Sequence, residues 1–233
     1  MAFLGVYPAA AVAPANVGER RMNLPVRVER TSFELGVSAS ANELDDRYLG
    51  PLGLDRASIL TLDLMPYFLA NTRKSKGRSM ATNLREAELA YGRSFGIAAR
   101  PSPARLVELA RRMTGNVERL TDYFARSKAK LLFTLGSEAA AFVRGATYAA
   151  VNREARMLFY SAPVELDVLG TRRLVVHLAH PGILMSGKGR ASDWPERHVR
   201  WCASEGRDVV DATLRRRNER LAREGWTALR RSR

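Results

Sequence analysis

TRRLVVHLAHPGILMSGKGR, residues 171–190, decides how this chain is read. Residues 174–178 form a run too short to span a membrane, rich in β-branched side chains and soon followed by Pro181, so the run is a buried strand. It delivers His180 to a strand end. Beyond it Pro181 and Gly182 turn the chain, Ile183, Leu184 and Met185 are exposed in a loop, and residues 186–190, with Lys188 and Arg190, lead to a new helix. A polar ring, apolar side chains and two cations thus emerge at one sheet edge. In open α/β sheets such strand ends are where ligands bind, which makes this the leading site.

Outward from that stretch, three more strands are expected: residues 2–6, turning out through Gly5-Val6-Tyr7-Pro8-Ala9; residues 58–68, with Asp63 as the one charge; and residues 130–135. The last runs through Gly136 into a helix from Ser137 to near Gly145. A strand, one Gly and a Ser-capped helix place free N–H groups at the sheet edge, suited to an anion or a carbonyl, although the same turn also serves ordinary βα packing. Residues 164–168 form a short strand. Residues 9–30 hold Pro14, Gly18 and Pro25 without a clear period and read as a long loop over the sheet edge.

Helix signals fill the intervals. Ser40 and Glu43 make a capping box for a short helix carrying Leu44, Tyr48 and Leu49, stopped at Gly50-Pro51. Asn83 and Glu86 cap a second helix, Ser102-Pro103 opens a third with Leu106, Leu109, Ala110 and Met113 on one face, and Val117, Leu120 and Phe124 continue after Gly115. Ser192, Asp193 and Pro195 open one long helix with Val199, Ala203, Val210, Leu214 and Leu221 in a stripe. Its last turns carry Arg215, Arg216, Arg217, Arg220 and Arg223, which either contact phosphate or form a frayed basic end. The polar loop of residues 71–80, with Arg73, Lys74, Lys76 and Arg78, carries the same two readings.

The 233 residues suit one α/β domain over residues 1–233, and 46% hydrophobic content is ample for a core. The formal charge of +14 favours a polyanion such as nucleic acid. Of the 38 basic residues 33 are arginine, so the alternative is that Arg and Ala usage reflects the base composition of a genome. One cysteine, Cys202, excludes an internal disulfide, a four-cysteine zinc site and an iron–sulfur cluster held by this chain alone, and fits a reducing cytoplasm. No run reaches the roughly 18 apolar residues of a spanning helix, and no basic stretch precedes the first apolar one as in a signal peptide. A strand at the very first residues leads us to expect natural sequence upstream.

Four strand ends converge in this reading: Gly5-Val6-Tyr7-Pro8-Ala9, Asp63 within LTLDLMPY, Leu135-Gly136-Ser137, and HLAHPGILMS. In that order, with helices between, they resemble the uracil-DNA glycosylase superfamily. The likeness is specific at the Gly-x-x-Pro after the first strand and at the His-Pro with its following loop, and FELGVSASANELDDRYLGPLGL is similar to the family's link between its first two strands. The resemblance implies a three-layer αβα sandwich with a short, mostly parallel sheet, and action on nucleic acid, DNA first. No cofactor or metal is expected, and a monomer is favoured although the sequence leaves the oligomeric state open. It also implies hydrolysis of a base's N-glycosidic bond.

That chemistry needs a donor at the oxygen of the departing base and an anion or oriented water near the sugar. The base must leave the stack, with an apolar wedge filling the gap and cations holding the kinked phosphates. By resemblance His180 is the donor, Leu184 or Met185 the wedge, and Lys188, Arg190, Arg73, Lys74, Lys76 and Arg78 the phosphate grip. Phe33 stacks on the base, and Gly5, Tyr7, Gly136 and Ser137 line its pocket. His180 also reads as a satisfied scaffold residue, Leu184 and Met185 as core cover, and Phe33 as a core aromatic. Two departures stand out. Val6 and Tyr7 occupy places where the family carries a water-positioning Asp, Asn or Glu, leaving Asp63 or Glu34 for that role. Asp63 replaces an Asn that reads uracil, and a carboxylate, which only accepts hydrogen bonds, suits a base edge rich in N–H groups better than uracil. Alternatives are a non-catalytic nucleic-acid binder and a nucleoside or nucleotide hydrolase. His180 and Asp63 are expected to share one cavity at the carboxyl rim of a parallel sheet.

Overall fold

Leu131–Leu135 is buried at every position, the mark of a strand covered on both faces, and it forms the centre of the sheet. The structure is a computed structural model that describes residues 1–28, 39–73, 78–185 and 192–231. Its strands are β1 (Ala2–Gly5), β2 (Ala10–Val17), β3 (Arg20–Val28), β4 (Leu60–Asp63), β5 (Leu131–Leu135), β6 (Val164–Val168) and β7 (Thr171–Leu178). Five of them form one sheet in the order β4-β1-β5-β7-β6, parallel except for the edge strand β6. Gly5 lies opposite Asp63, and Leu135 opposite Leu178. All four motif-bearing strand ends therefore reach one carboxyl rim, as the sequence requires.

The helices are α1 (Ala39–Leu44), α2 (Met80–Tyr91), α3 (Pro103–Arg112), α4 (Asn116–Ser127), α5 (Ser137–Val143), α6 (Tyr148–Leu158), α7 (Pro181–Met185), α8 (Trp194–Ala203) and α9 (Glu205–Arg231). Strand alternation sorts the core into two slabs. Phe3, Phe133, Leu135, Val176 and Leu178 face one side and pack with Leu44 and Tyr48, with Val151 of α6 and with Trp201 of α8. Ala2, Leu4, Leu132 and Val175 face the other and pack with Leu106 of α3 and with Leu120 and Phe124 of α4. The result is α/β with helices on both faces of a mostly parallel sheet, compatible with a three-layer sandwich. Phe3 and Phe133 stack at 4.6 Å between ring centroids.

Several expectations are corrected. Residues 10–28 are an antiparallel hairpin, β2 with β3, not a loop. Its two prolines are tolerated because a two-stranded ribbon has only edges, and Val17, Met22 and Leu24 bury against Leu84 and Ala87 of α2. The second core strand ends at Asp63 instead of running to residue 68. Gly50-Pro51 does not stop the first helix. The chain passes from α1 through a π-helical turn, Asp45–Leu49, and an α-turn, Gly50–Leu52, to a left-handed Gly53. The C-terminal helix is two helices, broken at Ser204, with Gly206 packed so closely on Trp201 that a Cβ would sit 2.5 Å from the indole. Val199 and Leu221, assigned to its apolar stripe, are 57% and 49% exposed.

The start of α2 also differs from expectation. Ser79, not Asn83, is the cap, its Oγ accepting from the Thr82 N–H at 3.1 Å. Ser79→Ala should cost about 1 kcal/mol in urea unfolding. Asn83→Ala, which removes one exposed bond to the Asn23 carbonyl, should cost distinctly less; equal losses would contradict this capping.

Candidate functional site

The carboxyl rim is built around His180, which follows β7 and opens the turn into α7. The Gly182 N–H donates to its Nδ1 at 3.0 Å, so Nδ1 is an acceptor and the proton of a neutral ring sits on Nε2. Burial, then the nearby Arg100, push the imidazole down to about 4, so it is neutral near pH 7. Protein atoms surround the ring although part of the residue still reaches solvent. Gly136, at the end of β5, makes room for it: at φ +93 a Cβ there would stand 3.3 Å from His180 Cβ and 3.6 Å from Glu138 Oε2. Imidazole and carboxylate thus border one point.

The backbone before His180 is held from both sides. Tyr48 donates from its hydroxyl to the Ala179 carbonyl at 2.7 Å, and the Ala179 N–H donates to the Tyr160 hydroxyl at 3.3 Å. Tyr48 reaches that carbonyl from the π-helical turn, and Tyr160 adopts φ +63, a conformation L side chains rarely take. Tyr48→Phe leaves a buried carbonyl without its donor and should cost about 1–3 kcal/mol in thermal unfolding; an unchanged midpoint would show that the clamp holds nothing.

Glu138 is the carboxylate that sequence reasoning missed. The expected Ser-capped helix has Gly136 at its cap instead, with no side-chain cap. Ser137 becomes the first helical residue, its hydroxyl 3.4 Å from Asn152 Oδ1, and Glu138 follows in the first turn, where the helix dipole favours an anion. The chain thus carries a carboxylate of its own in that first turn. Glu138 Oε1 pairs with Arg100 at 3.0 Å, and the same guanidinium lies 5.0 Å from the Tyr7 ring centroid. Burial raises the Tyr7 hydroxyl, with Arg100 opposing. Tyr148, raised first by burial and next by Glu138, completes the wall beside Asn152. The visible signal for Glu138 was its place two residues after a strand-ending Gly. Arg100, in a segment hydrogen-bonded alongside Ala70, had none.

Asp63 and His180 share the rim but are not adjacent. Two strands separate β4 from β7, about 14 Å at ordinary strand spacing. Tyr7 and Arg100 lie between: Tyr7 interacts with Asp63, and Arg100 with His180. Asp63 is 2% exposed, and its carbonyl accepts from Arg119, which is itself fixed by the buried Asn116.

No protein-family model matches this chain, and no curated protein matches its sequence. The chemistry of the rim therefore rests on its own geometry. Gly5, Tyr7, Gly136, Ser137 and His180 all lie at this rim, at or just beyond the carboxyl ends of β1, β5 and β7. Leu184 is corrected: it is 2% exposed and packed in the core, because residues 181–185 form a helical turn instead of an open loop, and Ile183 is the apolar side chain shown outside. Arg78 is engaged with Glu86 of α2, while Arg73 is exposed. Phe33, Glu34, Lys74, Lys76, Lys188, Arg190 and the side chain of Met185 lie outside the described residues. Among the described residues no cluster of three His, Cys, Asp or Glu forms a metal site, and no helix is long and apolar enough to cross a membrane.

Proposed function

We propose that the carboxyl rim hydrolyses an N-glycosidic bond of a base extruded from nucleic acid, with DNA the first substrate to test. One observation carries the reading: a neutral imidazole with its Nε2–H uncommitted to the Gly182 contact borders the same point as a carboxylate. Hydrolysis forms a bond from water oxygen to C1′ and breaks the C1′–N bond, whose electron pair leaves with the base. His180 Nε2–H donates to the oxygen where that charge gathers. Glu138 takes the role for which Val6 and Tyr7 are unsuited, facing the cationic sugar and accepting the water's proton. Arg100 fixes that carboxylate through Oε1 and leaves Oε2 for water. Asp63, farther along the rim, is a group that would favour a base edge presenting N–H donors. The +14 chain charge favours the polyanion.

The test is abasic-site formation over a panel of oligonucleotides carrying modified bases. Excision that fails in Glu138→Gln but persists in Asp63→Asn supports the assignment, and the reverse result moves the carboxylate role to Asp63. A second reading has one observation in its favour: the Arg100 pairing occupies half of the Glu138 carboxylate. In it the rim binds nucleic acid without cleavage, and the outcome is salt-sensitive affinity with no abasic product on any base.

A further inference from the structure

At the opposite pole, below the amino ends of β5 and β7, a cavity of about 890 Å³ opens between the sheet and α9. Seven of its nineteen lining residues are Lys or Arg, against one carboxylate, Glu165, which already lies 3.8 Å from Arg172. Such an excess of like charge around a concave surface is repulsive unless an anion enters it. Arg173 sharpens the point. It is 3% exposed, yet among the described residues no carboxylate pairs with it. One nitrogen donates to the Phe124 carbonyl at 3.0 Å, the guanidinium lies 5.1 Å from the Phe124 ring centroid, and Nε is buried without a partner among the described residues. A buried cation with an open donor is costly as it stands and becomes favourable when an anion supplies the missing acceptor.

We infer that this groove is a phosphate-binding site, with Arg173 at its floor and Lys128, Lys130, Arg216 and Arg217 at its edge, separate from the carboxyl-rim site. The cation surplus calls for a ligand with more than one phosphate, and guanidinium forks match phosphate oxygens in pairs. Apolar side chains beneath, Leu60, Leu174 and Leu214 among them, would take the non-phosphate part. Lys128 is held at φ +50, a conformation that lysine seldom adopts, where α4 ends at the groove. A phosphate-bearing ligand of this kind is either a small polyphosphate or nucleotide, or the backbone of a nucleic-acid strand.

The test uses the full chain with two probes: inorganic pyrophosphate and a single-stranded oligonucleotide without terminal phosphates. Pyrophosphate should raise the unfolding midpoint beyond chloride at matched ionic strength. Its affinity should fall roughly tenfold or more in Arg216→Glu/Arg217→Glu, two exposed helix positions whose change leaves the core intact. Arg173→Met should abolish the response and raise the ligand-free midpoint, because an apolar group of similar length replaces an unpaired buried charge. A parallel loss of oligonucleotide affinity identifies a nucleic-acid strand as the ligand, whereas unchanged oligonucleotide affinity identifies a small phosphorylated compound. No response beyond chloride, or equal responses in all three proteins, overturns the inference. The glycosylase reading stands or falls separately: His180→Ala should keep the pyrophosphate response whatever becomes of base excision.

Discussion

His180→Ala should lower the single-turnover rate of base excision by about two to three powers of ten while leaving the affinity for the intact oligonucleotide nearly unchanged. That magnitude is typical for removing one preorganised donor from a charge that develops only in the transition state. The asymmetry between rate and binding is the diagnostic part. The base oxygen gathers negative charge only as the C1′–N bond stretches, so the Nε2–H stabilises the transition state far more than the bound substrate. The geometry of this chain makes the donor available without any proton uptake. Gly182 N–H occupies Nδ1, and burial keeps the ring neutral down to about pH 4. On this group alone, excision should be flat through the neutral range and change only as pH falls toward that value. A His180→Ala protein that excises at the parental rate, or one that loses affinity and rate in equal measure, would remove His180 from the chemistry.

The parallel strands were legible because each is an apolar run between Gly or Pro signals, and their common direction followed from the helices between them. Ser102-Pro103 marked α3 for the same kind of reason: cap and first-turn proline are local chemistry, and the Ser102 hydroxyl accepts from the Arg105 N–H as that pair predicts. The hairpin was not legible. Pro14 and Pro25 break the period, and its buried side chains, Val17, Met22 and Leu24, acquire their meaning only from α2, some 60 residues away in sequence. The π-helical turn was hidden likewise, since it carries Tyr48, whose partner, the Ala179 carbonyl, lies 131 residues away. Within the site, His180 announced itself by following a strand, as did Gly136. Arg100 could not, because its role is fixed by a through-space pairing with Glu138. The two charged ends of the molecule divide the same way. Rim residues cluster in short motifs, whereas the amino-end groove draws its cations from the turn between α4 and β5, from β7 and from α9, and shows only as a basic surplus in the sequence.

Acid should unfold the chain well above the pH at which ordinary carboxylates titrate, because two imidazoles are locked neutral in the core. His177 is 1% exposed, with Nδ1 2.6 Å from the Thr134 hydroxyl and Nε2 buried without a partner among the described residues. His198 is fully buried, 4.1 Å from the Tyr48 ring centroid, and its Nε2 lies 2.8 Å from the Arg47 carbonyl, which can only accept. Burial pushes both down to about 4, with Arg144 adding to the effect at His177, while at His198 the hydrogen bond to the Arg47 carbonyl opposes it and the Arg47 charge adds to it. In the unfolded chain each returns to about 6.5. Between those values the unfolded state holds more protons than the folded one, so lowering the pH through this window favours unfolding. The stabilisation is complete above pH 6.5 and is gone below about 4. Each ring accounts for about 3 kcal/mol, so the core pair, to which His180 of the rim adds a like share, is comparable with the whole stability of a typical domain. With His180 also held down to about 4, three rings act over this window; urea midpoints should be level from pH 8 to 7, fall steeply from 6.5 to 4.5, and fall with roughly two thirds of that slope in His198→Gln, whose amide can still donate to the Arg47 carbonyl. A midpoint that stays level down to pH 4.5 would mean that the two rings take up protons within the fold as readily as in water, and that the aromatic cluster around His198 is open to solvent.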